Sequence, residues 1–310
     1  NQQIKFCVGP CFPPTEVNFK RSRENAYLYS NFTYPGKASA TIGLSYSSTE
    51  MLVDTKFDKF DPKFGLQWDI TDIFRLRFAW FETVKSALIA NQTLEPTQIA
   101  GFNQLFDDIS GTRSRRMGVG LDANFSKSLY GGVEVSERDL KKIPFPDGLT
   151  ATLLDSEKQQ ERLYRSYLYW LPYANWTING EFQFERYTRN AVVVATDVDK
   201  PFQVQTLSAP FAINYFHPGG IFGKFTTTYV QQNLKRLKAS ALRDGINDFV
   251  LFDAAIGYRL PQRRGMLSLE GRNLSNENFF YRNINFHTSE AIAPRFIPTR
   301  TFFARVTLNF

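Results

Sequence analysis

The chain has 310 residues with 37 Lys and Arg against 30 Asp and Glu, a formal net charge of +7, and 30 Phe and 14 Tyr, yet its mean hydropathy is −0.32. No run of about eighteen apolar residues occurs, which excludes an ordinary transmembrane helix, and the basic residues are spread along the chain, which argues against nucleic-acid binding. An aromatic-rich but hydrophilic chain of this size fits either two soluble domains or one large barrel whose alternate residues face lipid and water.

The sequence opens on Asn1 with no basic and apolar leader, so any secretory signal is expected to have been removed or to lie outside this stretch. Cys7 and Cys11, in Cys-Val-Gly-Pro-Cys, are close enough to form a small disulfide loop in an oxidising compartment. As a metal pair they are poor, because only His217 and His287 add imidazole, so no metal and no cofactor is expected.

A first hairpin is read from Glu24, turning at Tyr34-Pro-Gly-Lys37 and returning with Ala40, Ile42, Leu44 and Tyr46 on one face. A second runs from Pro62 to about Val84. Phe64, Leu66, Trp68 and Ile70 precede a turn at Thr71-Asp72, and Phe74, Leu76, Phe78 and Trp80 then alternate with Arg75 and Arg77. Two arginines opposite four large apolar residues do not suit a dry core, and they point to a wet interior. From Lys85 to Thr112 the alternation lapses, and a long connection with some local order is expected at the outer end of a barrel.

The third hairpin opposes Met117, Val119 and Leu121 to Arg116 and Asp122, turns at Ser126-Lys127, and returns with Val133 and Val135 against Glu134, Ser136 and Arg138. The fourth turns at Leu171-Pro-Tyr-Ala174. Its second strand sets Trp176, Ile178, Phe182 and Phe184 against Glu181, Gln183 and Glu185. The fifth turns at His217-Pro-Gly-Gly220 and the sixth at Pro261-Gln-Arg-Arg-Gly265. Tight turns thus recur at one end and mostly long connections at the other. Aromatic residues such as Tyr34, Trp68, Phe125, Trp170, Trp176 and Tyr258 gather near the turns, as in an interfacial girdle.

The last stretch alternates Phe302, Ala304, Val306, Leu308 and Phe310 with Phe303, Arg305, Thr307 and Asn309. It is a thirteenth strand, and antiparallel closure needs an even number, so about fourteen strands are expected. The missing strand is placed at or before Asn1–Phe6, joined through the cysteine loop, unless the chain is a fragment of a larger barrel. The expected fold is all-β: a transmembrane antiparallel β-barrel, with residues 1–310 as a single domain.

A closing strand ending on Phe resembles the C-terminal signal of bacterial outer-membrane β-barrels. That resemblance makes Phe302, Val306, Leu308 and Phe310 an assembly signal for the barrel-assembly machinery. Four stretches resemble the C-terminal barrel region of TonB-dependent receptors: Asp61-Pro-Lys-Phe-Gly-Leu66, Asp253-Ala-Ala-Ile-Gly-Tyr258, Leu269-Glu-Gly-Arg-Asn-Leu274 with Phe279, and Pro298-Thr-Arg-Thr-Phe-Phe303. The plug domain and coupling box of such receptors are not seen in this chain, and their usual barrel has more strands. The resemblance implies location in the bacterial outer membrane, contact with lipid and lipopolysaccharide, and an energy-coupling protein or periplasmic module as partner.

An enzyme is not expected, because His217 lies in a Pro-Gly turn, His287 in a connection, and neither neighbours a nucleophile motif. The candidate site is the polar face: Arg75, Arg77, Arg116, Lys224, Arg272 and Arg305 with Asp122, Glu134, Glu181, Glu185 and Glu270. Mixed charges of this kind either pair across strands to hold the wall or bias what passes through it. The expected function is transport of a solute or chelate across the outer membrane, with an export or secretion channel for polysaccharide or protein as the alternative.

Overall fold

The computed structural model describes residues 2–6, 15–19, 23–51, 55–85, 95–104, 108, 112–141, 158–190, 201–235, 245–282 and 296–309. The alternating segments form strands β1 (Gln2–Phe6), β2 (Thr15–Phe19), β3 (Arg23–Tyr34), β4 (Ala38–Met51), β5 (Thr55–Asp69), β6 (Phe74–Val84), β7 (Gln98–Ile99) and β8 (Phe102–Asn103). They continue with β9 (Arg113–Ser126), β10 (Leu129–Lys141), β11 (Gln159–Tyr173), β12 (Trp176–Arg189), β13 (Gln203–Phe216), β14 (Ile221–Lys235), β15 (Gly245–Arg259), β16 (Gly265–Arg272) and β17 (Thr301–Leu308). Among the described residues the only helical piece is the 3-10 turn Pro261–Arg263.

Strands β3 to β6 and β9 to β17 make one antiparallel sheet of thirteen strands in chain order, with β3 and β17 at its edges. The sheet confirms the all-β reading and corrects one part of it. β1 does not supply a fourteenth strand: it pairs with β2, from Gln2 opposite Phe19 to Phe6 opposite Thr15, in a separate hairpin. Pairing across a connection of a few residues costs far less loop-closure entropy than pairing with β17 at the other end of the chain. Cys7 and Cys11, and the terminal Phe310, lie outside the described residues.

Prolines mark where ladders stop. The β5–β6 ladder ends at Lys63, next to Pro62, and the β12–β13 ladder skips from Phe211 to Ser208 around Pro210, because proline has no N–H to donate. Pro62 is nonetheless inside β5, which starts seven residues earlier than the hydrophobic pattern indicated, since its other edge pairs with β4 from Thr55 onward.

Register gathers the two residue classes onto opposite faces. One row runs Ala40, Leu66, Phe78, Val119, Val135, Tyr164, Phe184 and Leu207 across β4 to β13. The opposite face carries the row Gln67, Arg77, Gly120, Glu134, Arg165, Gln183 and Ser208. Burial is inverted relative to a soluble sheet: Arg77, Arg116, Glu134 and Arg138 are 6–8% exposed, while Met117 and Val133 are each 52% exposed. Exposed apolar side chains recur on every strand of the sheet, far beyond the patches a soluble monomer shows.

The apolar face has a sharp upper border. Away from the tight turns, the outward rows of eight strands change character in one step: Phe60 to Asp58, Trp80 to Glu82, Met117 to Arg115, Val135 to Glu137, Tyr164 to Arg162, Phe184 to Arg186, Leu207 to Gln205 and Val250 to Asp248. On β12 the belt from Trp176 to Phe184 is roughly 26 Å along the strand, or about 20 Å of height at a ~40° tilt. Aromatic rings at both ends extend it toward the ~25 Å apolar band of a membrane barrel.

Candidate functional site

The polar face is where charge is concentrated, and its centre is Arg77 on β6. Its Nε donates to Asp122 Oδ2 at 2.7 Å, and its Nη2 donates to Asp122 Oδ1 at 3.1 Å and to Glu134 Oε2 at 3.3 Å. The Tyr167 hydroxyl donates to the same Asp122 at 2.6 Å, and Arg165 forks onto Glu181 at 2.6 and 3.0 Å. Arg116 donates to Ser136 Oγ at 2.9 Å and lies 3.8 Å from Glu134. Farther from the tight turns, Arg138 bridges Glu161 at 2.8 Å and Asp108 at 2.6 Å. Planar guanidinium forks meeting carboxylates satisfy charges that would otherwise be costly to bury.

Small residues make room for a segment folded onto this face. In the β7–β8 hairpin, Ala100 and Gly101 both have positive φ (47° and 84°), as a two-residue type I′ turn requires. Gly101 lies directly against the Arg77 guanidinium, 2.8 Å from Nη1 to where a Cβ would stand. Ile99 packs onto Gly65, where a Cβ would approach within 2.7 Å, and Phe102 packs onto Gly118, where it would approach within 2.3 Å. Ala79, Phe81, Ile99 and Phe102 form a small buried core. The Phe102 ring lies between two guanidiniums, 5.0 Å from Arg77 and 5.8 Å from Arg116, and the Asn103 carbonyl accepts from Arg116 at 2.9 Å. Glu95 ties the segment to β3 by accepting from the Tyr29 hydroxyl at 2.7 Å. The described part of the 85–112 connection therefore folds back over the polar face instead of standing clear of the strands, because glycines on β5 and β9 leave a seat for its apolar side chains.

A second segment turns onto the same face after β16. Asn273 (φ 50°) is buried; its backbone N–H donates to Asp253 at 2.8 Å, its amide donates to the Glu277 and Ile297 carbonyls, and its Oδ1 accepts from the Glu277 N–H at 2.8 Å. Phe279 then stacks on Phe249 at 3.9 Å, with Tyr281 and Phe296 edge-on around them. Asn273→Ala should leave two carbonyls and an N–H without partners, at about 1–3 kcal/mol each before water compensates. Hydrogen exchange should show lost protection at residues 273–282 with the sheet unchanged; unchanged exchange there would contradict this role.

All eleven residues read from the sequence as lumen-lining fall on the polar face by register. The structure brings Arg77, Arg116, Asp122 and Glu134 into one network and pairs Arg75 with Asp69 at 2.6 Å and Arg272 with Glu270 at 2.6 Å. Glu181 and Glu185 lie on β12, while Lys224 and Arg305 stand apart on β14 and β17. Phe302, Val306 and Leu308 are exposed on the apolar face. Arg138, Glu161, Arg165 and Tyr167, of which Arg138 alone is placed on the polar face in the sequence reading, and Phe102 are not among the candidate residues. The first four were legible as the polar phase of β10 and β11, whereas nothing near Phe102 in sequence pairs it with Gly118. His217 Nδ1 accepts from the Gly219 N–H at 3.0 Å, so that imidazole serves its turn, and His287 lies outside the described residues. Among the described residues no three His, Cys, Asp or Glu side chains converge as metal ligands would.

No protein-family model and no curated protein matches the chain. Solved structures do. The FrpB iron transporter from Neisseria meningitidis is similar with a TM-score of 0.64 and 12% identity, over 94% of this chain and 45% of that one. The ferric-catecholate import receptor Fiu from K12 E. coli gives 0.58 and 15% over 94% and 45%. The ferripyoverdine receptor of the outer membrane of Pseudomonas aeruginosa gives 0.57 and 13% over 96% and 40%. The chain thus spans less than half the length of these structures, and what it shares with them is the fold of an outer-membrane receptor barrel.

Proposed function

We propose that this chain is barrel wall of a TonB-dependent type of receptor in the bacterial outer membrane, and that it takes part in importing an iron chelate. The observation that carries the reading is a charged, arginine-rich face with two segments folded onto it, backed across the same sheet by an apolar face whose height approaches that of a membrane barrel's belt. Iron and ferric chelates are what the similar solved proteins carry by name, and many such chelates are anionic, which suits a lining with Arg75, Arg77, Arg116, Arg165, Lys224 and Arg305. Pairing of most of these with carboxylates leaves a surface of alternating sign rather than a single deep well. Such a surface favours passage over tight retention. Release past the inward segments then calls for work supplied by an energy-coupling partner on the tight-turn side.

The test is growth of an iron-starved strain lacking its own receptors on single ferric chelates, with the full-length protein supplied and the energy-coupling system present or deleted. Chelate-dependent growth that vanishes on deletion supports import. Growth indifferent to coupling indicates a passive pore and overturns the reading. Membrane insertion is checked separately, because a bilayer offers no water to an unpaired strand edge and β17 must find a partner there. Removing residues 302–310 should abolish the heat-modifiable band on gels of outer-membrane fractions; a band that survives the deletion would show that this strand is not needed for closure.

A further inference from the structure

We propose that the tight-turn end of the polar face, across β9 to β13, binds a neutral solute rich in hydroxyl groups, of the pyranoside class. Tyr130 and Tyr169 form its floor, and Asn124, Asn179 and Asn214 form its hydrogen-bonding frame. The proposal goes beyond import of an iron chelate and rests only on the polar face being the wet interior of a membrane barrel.

On four consecutive strands the polar face changes chemistry in one step toward the tight turns. Asp122 gives way to Asn124 on β9, Gly132 to Tyr130 on β10, Tyr167 to Tyr169 on β11 and Glu181 to Asn179 on β12. Register sets the four new residues in one row, Asn124 opposite Tyr130, Tyr130 opposite Tyr169 and Tyr169 opposite Asn179. With neighbouring strands about 4.8 Å apart, the row is about 14 Å long. One step nearer the turns, the Asn214 amide donates to Thr177 Oγ1 at 3.0 Å and to Asn179 Oδ1 at 3.4 Å, and Asn214 has Lys224 as its partner on β14.

The segments folded onto the polar face touch it farther from the turns. The β7–β8 hairpin sits at Gly65, Arg77 and Gly118, and residues 279–282 sit at Phe249 and Gln232. Tyr130 and Tyr169 stay 38% and 41% exposed. Lipid anchoring does not account for them, because parity puts them on the face opposite Leu168 and Trp170. The charge network does not use them either: Tyr167 reaches Asp122 over Gly132, and its ring, 5.8 Å from that of Tyr169, closes the far side of the row. The Tyr130 hydroxyl donates to the Lys127 carbonyl at 2.8 Å, which fixes its ring, while the Tyr169 hydroxyl has no protein partner among the described residues. A phenol face packs against the apolar C–H side of a pyranose, and an amide donates and accepts at once, as sugar hydroxyls do. One ammonium at the end of this frame is too little for a multiply charged anion, and the row offers no carboxylate to a metal.

The test is saturation-transfer NMR on the full-length protein in a zwitterionic detergent that has no sugar headgroup. Three probes are compared: maltotriose, tetraethylene glycol dimethyl ether, which is a chain without hydroxyls, and citrate. Maltotriose should receive saturation at its ring protons and bind at least about tenfold more tightly than either control. Tyr130→Ala with Tyr169→Ala should weaken maltotriose by about tenfold or more, and Asn179→Leu, of similar volume, should weaken it with the floor intact. Tyr164→Ala, on the lipid side of β11, should leave it unchanged. Absence of transfer to maltotriose, equal binding of the ether or of citrate, or an affinity indifferent to the polar-face variants overturns the proposal. The heat shift of each sample on a gel keeps the readings apart. A heat-modifiable protein that does not bind maltotriose sinks this site alone, whereas absence of a heat shift in the unsubstituted protein sinks the membrane barrel beneath it; chelate-dependent growth is decided independently of both.

Discussion

Phe225→Arg should destabilise the folded barrel by about 2–4 kcal/mol, while Thr226→Arg, one residue on, should cost little. Phe225 is the middle of the outward row Ile221, Gly223, Phe225, Thr227 and Tyr229, it is exposed, and its neighbours across the strands are Ile213 and Ala254. Its ring stacks with Phe252 at 6.3 Å. A guanidinium there sits at the centre of the apolar belt, too far from either border to reach water without distorting the wall. Thr226 points to the polar face opposite Asp253, where an arginine gains a carboxylate partner. Reversible unfolding of protein inserted in phospholipid vesicles, followed by urea titration, measures both. Similar penalties at the two positions would show that the faces are not lipid and water, and the membrane assignment would fail with them.

Gly118→Leu should expel the β7–β8 hairpin from the polar face and leave the sheet folded. A Cβ at Gly118 would lie 2.3, 2.5 and 2.9 Å from three carbons of the Phe102 ring, so even alanine displaces it. Losing the burial of a ring that is 1% exposed costs about 3–5 kcal/mol, more than a hairpin with two strands of two residues each can replace from its own bonds. The sheet does not depend on it: Gly118 stays between Ala79 and Ser136 in the ladder whether or not the hairpin is seated. Limited proteolysis should therefore open a new cut within residues 95–104, and planar-bilayer conductance should rise as the interior clears. Gly223→Ala is the matched control, since the nearest atom to its added Cβ is 3.9 Å away. Unchanged proteolysis and conductance in Gly118→Leu would mean the hairpin is not held by this contact.

Much of the wall was legible in the chain. Period-2 alternation identified the six hairpins and assigned each residue to one face, and the strands of the sheet keep those faces, because a side chain's side of a strand follows from parity alone. The turn sequences at Tyr34-Pro-Gly-Lys37 and His217-Pro-Gly-Gly220 were equally direct, since proline and glycine restrict and free the backbone locally. Parity also placed Arg77, Arg116, Asp122 and Glu134 on the polar face without saying that they touch.

What the sequence by itself determined is therefore local: strand, turn, and which of two faces. Contact was decided only in three dimensions. Arg77 meets Asp122 forty-five positions away because β6 skips the connection and pairs with β9, and the register of that pairing sets which charges face each other. Phe102 finds Gly118 because a missing side chain on one strand makes a seat that no pattern around either residue reveals. The fate of β1 was likewise misjudged from strand parity, since counting strands says how many edges must be satisfied but not by which segment, and a local partner at low entropic cost took precedence. The apolar border is the same kind of fact: each of these strands carries one polar step, and only the register between neighbouring strands sets Glu137, Arg162 and Arg186 in one cross-strand row, with Arg115 one outward step beyond it opposite Asp139.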